Sequence, residues 1–249
     1  MNAQTGLERC LSFINCQLRS NGKDRNVTNG SHVTVVTISR QTGCGARAIA
    51  EKLAEHLQAR SPKDAPLWSV FDRDLVNKVL EEHNLPQRLA KFMPENRVSE
   101  ISDTIDDLFG LHPPSWLLVR KTAETILHLA KLGNVILIGR GANIITAKLD
   151  CALHVRLVGS IPRRLQRIEK SENLERKAAL ELIQSEDQGR RRYLRKYYAK
   201  DINDPLLYHL VINTDLVDCN DTARLIGDFI LERDRRGRAE HPHGKMPFH

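Results

Sequence analysis

The chain has 249 residues, with 38 lysines and arginines against 31 aspartates and glutamates, a formal charge of +7, and 41% hydrophobic and 28% charged residues. That suits one globular domain with a sizeable core and excludes a membrane-spanning helix, since no uncharged stretch reaches the roughly 20 residues a span needs: residues 26–39 are fourteen, many of them polar, and Leu108 to Val119 are twelve, split by two adjacent prolines. Five scattered cysteines without a C-x-x-C pair fit neither a disulfide framework nor a zinc site, and the apolar stretch Cys10 to Leu18 is preceded by Glu8 and followed by no small-residue cleavage site, so a cytosolic protein is expected.

In chain order, residues 1–31 are polar and read as a flexible arm, and the fold is expected to start at His32. VTVVTI (Val33 to Ile38) is a β-branched apolar run too short for a helix and predicts a buried strand. Ile49, Leu53 and Leu57 recur at four-residue spacing as one face of a helix. LWSVF (Leu67 to Phe71) predicts a second strand, with Asp72 placed to cap a helix carrying Leu75, Val76, Val79 and Leu80. Ser115 to Leu132 predicts a long helix ended by Gly133. NVILIG (Asn134 to Gly139), ALHVRLV (Ala152 to Val158) and YHLVIN (Tyr208 to Asn213) predict three more strands. A last helix from Asp221 to about Arg233 is followed by residues 234–249, a basic tail expected to be disordered. Strands alternating with helices argue for a doubly wound parallel sheet covered on both faces, whose ligands bind at the carboxyl ends of the strands.

Charge is concentrated. Twelve basic and six acidic residues lie between Ser160 and Lys200, which holds most of the net excess. Arg163 to Lys177 reads as a solvated helix with charges paired at helical spacing. Arg190, Arg191, Arg192, Arg195 and Lys196 have no acid among them and call for a phosphate anion. After the first strand, Ser39-Arg40-Gln41-Thr42-Gly43-Cys44-Gly45-Ala46-Arg47 enters a helix, an arrangement that offers backbone N–H groups and a positive helix end to phosphate, although a tight turn explains the glycines equally well. The Walker pattern is absent, since Ala46 stands where its lysine would be. The third strand ends Gly139-Arg140-Gly141, and an arginine between glycines at that end of a strand points into the same crevice. Asp187, Arg190 and Tyr193 share one helix face. Asp187 suits either a local ion pair or a ligand contact.

SRQTGCGARAIAEKL, FDRDLV, LIGRGANII and EDQGRRRYLRKYY followed by NDPLLYHLVINTD together resemble the cytidylate kinase-like family, relatives of the P-loop nucleoside monophosphate kinases, from about Val33 to Phe229. Against the family's usual S-R-E-x-G-S-G-G-R loop, Gln41 replaces Glu, Cys44 replaces Ser and Ala46 replaces Gly. The resemblance implies a P-loop-type five-stranded parallel sheet in a kinase domain spanning 32–233, with an arginine-rich helical lid at about 160–200. It implies that Ser39, Arg40, Gly43, Cys44, Gly45, Ala46 and Arg47 bind ATP phosphates. Asp72, Arg73, Arg120, Arg140 and Asp187 would bind the acceptor nucleotide, and Arg190, with Arg191, Arg192 or Arg195, would stabilise the transferring phosphoryl group. True cytidylate kinases carry Asp after the third-strand arginine, where it helps to read the cytosine ribose or base; this chain has Gly141.

The implied activity is ATP-dependent phosphoryl transfer to a nucleoside monophosphate, with CMP or dCMP as the default acceptor. Mg²⁺ would be held mostly by phosphates and water, with no protein metal site. The alternative is a catalytically weak or inactive nucleotide-binding regulatory protein of the same fold. A nucleic-acid binder ranks well behind, because only 5% of residues are aromatic and no recognition element is present.

Overall fold

A computed structural model describes residues 34–62, 65–72, 105 and 117–240. The N-terminal arm, the helix expected after Asp72 and the end of the tail lie outside the described residues. Strand β1 (Val35–Arg40) leads into helix α1 (Ala46–Gln58), followed by β2 (Ser69–Phe71), α2 (Leu117–Leu132), β3 (Val135–Ile138) and a short α3 (Ala142–Ile145). Then come β4 (Ala152–Val158), α4 (Ile161–Glu172), α5 (Arg176–Tyr198), β5 (Leu210–Asn213) and α6 (Cys219–Glu240). All five predicted strands form, and β4 has the predicted bounds. Helix α6 begins at Cys219 rather than Asp221 and runs past Arg233 to Glu240, into the segment expected to be disordered.

The strands form one parallel sheet in the order β2-β3-β1-β4-β5. Because strand side chains alternate, each strand feeds two cores. Val35, Phe71, Val135 and Leu137 face a cluster built with α2, α3 and the end of α5. Val36, Ile38, Ile136, Ile138 and Val155 face the other, built with Ile49, Leu53 and Leu57 of α1 and Ala223, Ile226 and Ile230 of α6. The helices α1 and α6 pack so closely that a Cβ on Gly227 would lie 2.4 Å from the His56 ring. Gly133 ends α2 in the left-handed region (φ +78°), its N–H bonded to the Leu129 carbonyl, as predicted.

The hairpin of α4 and α5 has a small core of its own, Leu165, Ile168, Ala179 and Ile183. It forms the arginine-rich lid, over the carboxyl ends of β1 and β3. The chain continues from β1 to β2 on one side of the sheet and from β3 to β4 on the other, and these diverging connections open a crevice there.

Candidate phosphoryl-transfer site

The loop between β1 and α1 is tied to the lid. Gly43 has φ +85°, and a Cβ there would lie 2.6 Å from the Arg164 carbonyl oxygen, so both the angle and the space require glycine. Thr42 donates from its backbone N and from Oγ1 to Asp187 Oδ1, at 2.8 and 3.0 Å. Arg164, only 4% exposed, donates to Asp187 Oδ2 at 2.6 Å, to the Thr42 carbonyl at 3.2 Å and to the Gly159 carbonyl at 2.9 Å. Arg167 donates to the Gly43 carbonyl at 3.3 Å and to Thr214 Oγ1 at 2.9 Å. Gln41 accepts from the Gly159 N–H at 2.9 Å.

Arg164 and Arg167 therefore correct the expectation of a merely solvated helix over 163–177. Their partners include the Thr42 and Gly43 carbonyls of the loop, Asp187 of α5 and Thr214 after β5, which helical spacing does not reveal. Beyond the loop, Gly45 caps α1 with φ +73°, and no side chain caps the helix. The first amides of α1, from Ala46 to Ala48, have no partner within the helix and face outward with the positive end of its dipole. Cys44 is buried in the core on the α1 side, where burial pushes its thiol pKa up. Only its backbone belongs to the loop, which explains why Cys can stand where the family has Ser.

Beside the loop a cavity of about 300 Å³ is lined by residues that include Ser39, Arg40, Arg140, Asn143, Glu186 and Arg190. Arg40 forms no salt bridge among the described residues, and burial, reinforced by Arg190, lowers its guanidinium pKa to about 10. A Cβ on Gly139 would lie 2.1 Å from Arg40 Nη1, so Gly139 leaves the room that this side chain occupies. Arg140 itself has φ +55°, an uncommon conformation for arginine of the kind that costs about 1–3 kcal/mol. Arg190 donates to Asp187 Oδ1 at 3.0 Å and also pairs with Glu186. Asp187 thus makes the local ion pair and at the same time holds the loop.

Sequence reasoning missed Arg156. It lies on β4, 4% exposed, and donates to Ser39 Oγ at 2.8 Å. Burial lowers its pKa, and its guanidinium sits 6.0 Å from the Tyr208 ring. An arginine inside the apolar run ALHVRLV was the available signal. Asn143 is also new: it is 5% exposed, and its Nδ2 has no hydrogen-bond partner among the described residues. Such an orphan costs about 1–3 kcal/mol.

Several expected site residues lie elsewhere. Arg191 and Arg195 are exposed and do not line the cavity, because a helix that turns Arg190 inward turns them outward. Arg192 is likewise exposed and reaches Gln188. Arg120 pairs with Glu124 at 3.7 Å and is not in the cavity lining. Asp72 pairs with Arg47 at 2.9 Å, and Arg47 also reaches Glu51 at 3.2 Å, so both lie beside the loop rather than in the cavity. Arg73 lies outside the described residues. Gly141 has φ +71°, and a Cβ there would meet the Tyr198 ring at 2.8 Å, so the acid of true cytidylate kinases has no room at this position.

The profile of the cytidylate kinase-like family matches residues 35–216, which span the whole sheet, the loop and the lid. The chain belongs to the cytidylate kinase-like family. It is 31% identical over 180 residues to a cytidylate kinase of Methanothrix thermoacetophila, covering 72% of this chain and 88% of that protein. It is 28% identical over 181 residues to the cytidylate kinase of Pyrococcus horikoshii, covering 72% and 79%. A crystal structure of an uncharacterized protein from Eubacterium ventriosum shares the fold, with a TM-score of 0.52 at 19% identity over 80% of this chain and 98% of that one. In this chain the loop, Arg140 and the α4–α5 hairpin meet at one end of the sheet. Among the described residues, no helix is long and apolar enough to cross a membrane.

Proposed function

We propose that this member of the cytidylate kinase-like family is an ATP-dependent kinase that phosphorylates a nucleoside monophosphate, with CMP or dCMP as the default acceptor. The observation that carries the reading is the convergence of Arg40, Arg140 and Arg190 on one cavity beside the loop. Three guanidinium groups in a partly desolvated space suit a site where two phosphates are brought together and charge is neutralised.

The fit to ATP rests on the loop. The uncapped amides at the start of α1 would receive its phosphates, and the Walker lysine's charge would come from Arg40 and Arg190. Bound MgATP supplies the γ-phosphoryl group. Mg²⁺ would be held mostly by phosphate oxygens and water, since no Ser or Thr stands at the usual position after the loop glycines. Arg140 would orient the acceptor phosphate, and Arg190 would bridge donor and acceptor as charge moves to the transferring group. Arg156 would act indirectly, by holding Ser39 at the end of β1. A phosphate acceptor is already ionised, so no side chain need remove a proton.

The regulatory alternative has one observation in its favour. The Thr42 N–H, Arg164 and Arg190 are already bonded to Asp187, so the lid and loop satisfy each other without a phosphate. Calorimetry with MgATP, followed by a coupled ADP-release assay across CMP, dCMP, UMP, AMP and GMP, separates the two. Acceptor-dependent release is the expected outcome; binding without release supports the regulatory protein, and no binding of either nucleotide removes both.

A further inference from the structure

The cavity has a charged wall and an apolar wall, and one polar group stands on the wrong side. Ala142, Leu194 and Ile202 belong to a single apolar cluster, with Tyr193 packed against it, and all four line the cavity. Asn143 lines the same cavity and is more than nine-tenths buried, with its Nδ2 donor unpartnered among the described residues. A buried carboxamide without a hydrogen bond contributes nothing to packing that leucine would not supply better. Its retention beside an apolar wall is explained if a flat, polar-edged ligand brings the missing partner.

The neighbouring position sharpens the point. A carboxylate at 141 is excluded, because the backbone there is left-handed and the Tyr198 ring occupies the space of any Cβ. A carboxylate is an acceptor only: it bonds the exocyclic amine of cytosine and opposes the O4 carbonyl of uracil. A carboxamide carries a donor and an acceptor, and half a turn about its last bond exchanges them. In one setting Nδ2 donates to cytosine N3 while Oδ1 accepts from N4. In the other Nδ2 donates to uracil O4 while Oδ1 accepts from N3–H.

We propose that Asn143 reads the base of the acceptor nucleotide in place of a carboxylate, and that this chain therefore accepts cytidylate and uridylate alike. The inference rests on the nucleoside monophosphate reading above and adds to it a specificity-determining residue and a broadened substrate class.

The test uses the full chain and measures CMP and UMP binding by calorimetry, turnover with MgATP, and thermal stability. Wild type binds and turns over the two nucleotides within about threefold of each other. Asn143→Asp favours CMP over UMP by about tenfold or more, because the restored carboxylate accepts only from cytosine. Asn143→Leu weakens both nucleotides by about tenfold while raising the melting temperature of the free protein, a pair of changes that a purely structural asparagine would not give. The inference is overturned if wild type already separates CMP from UMP by more than about tenfold. It is equally overturned if Asn143→Leu leaves both affinities unchanged. In either case turnover by wild type keeps the kinase reading intact, whereas a chain that binds no nucleoside monophosphate removes both.

Discussion

The loop after β1 and the cavity beside it sit side by side, yet their polar groups are in opposite states. In the loop, Thr42, Gln41, Arg164 and Arg167 are bonded to protein groups, and Asp187 alone takes hydrogen bonds from Thr42, Arg164 and Arg190. In the cavity, Arg40 is desolvated without a salt bridge among the described residues, and Asn143 keeps an orphan donor. The first region is satisfied internally, through Asp187. The second is incomplete, and a ligand would relieve its desolvation cost. Internal satisfaction stabilises the fold, while its absence marks where binding energy can be gained.

The comparison breaks most visibly at Arg190, which belongs to both regions. Arg190→Ala should lower kcat on the order of 10²- to 10³-fold in the ADP-release assay, by analogy with loss of one preorganised donor to the transition state. A loss of stability with unchanged turnover would assign Arg190 to the loop alone.

Asp187→Asn should destabilise the protein by about 2–3 kcal/mol in urea unfolding, because Arg164, nearly buried, loses its anionic partner. Asn143→Leu should move stability the other way, by about 1 kcal/mol. Opposite signs for the two polar substitutions are expected from the difference between the regions; equal signs would dissolve it.

Stability should also fall in acid for reasons outside both regions. Burial holds His128 and His154 down to about 4 in the folded protein, from the ordinary 6.5. Both stay neutral when folded and bind protons more readily when unfolded. Each therefore costs about 1.4 kcal/mol per pH unit as the pH drops from 6.5 towards 4, with no effect above 6.5. His128→Leu should flatten that part of a pH–stability curve by about one proton's worth of slope.

The smallest effects belong to the exposed lid arginines. Arg191→Ala and Arg195→Ala should each change kcat/KM by less than about threefold, apart from a weak salt-dependent contribution to the encounter with an anionic nucleotide. A larger loss in either would mean that the lid turns on its axis when substrate binds.

The five strands and the turn after β1 were legible because their signals are local. β-branched, continuous apolar runs and Gly43 at a bend are written in consecutive residues. Arg140 was legible for the same reason, set between two glycines at a strand end. Arg156 was not, because an arginine in a buried strand looks like an interruption until its partner Ser39, on the neighbouring strand, is known. Arg164 was read as a surface charge because its partners, Thr42 and Gly159, are carbonyls that no helical periodicity connects to it.

The amino-acid sequence by itself determined the parallel sheet, the position of the loop and the concentration of arginines between Ser160 and Lys200, since the first two follow from the propensity and periodicity of neighbouring residues and the third from composition. Which of those arginines faces the cavity was decided only when α5 docked: the helix phase that points Arg190 at Thr42 and Asp187 sends Arg191 and Arg195 to solvent. Tertiary packing likewise decided the wall of the cavity, where Tyr198 closes the space above Gly141 and Asn143 Nδ2 is left without a hydrogen-bond partner among the described residues. Secondary structure answers to local sterics and hydrophobic pattern. Hydrogen-bond satisfaction and desolvation depend on which distant segments come together, and the chemistry of the site depends on those.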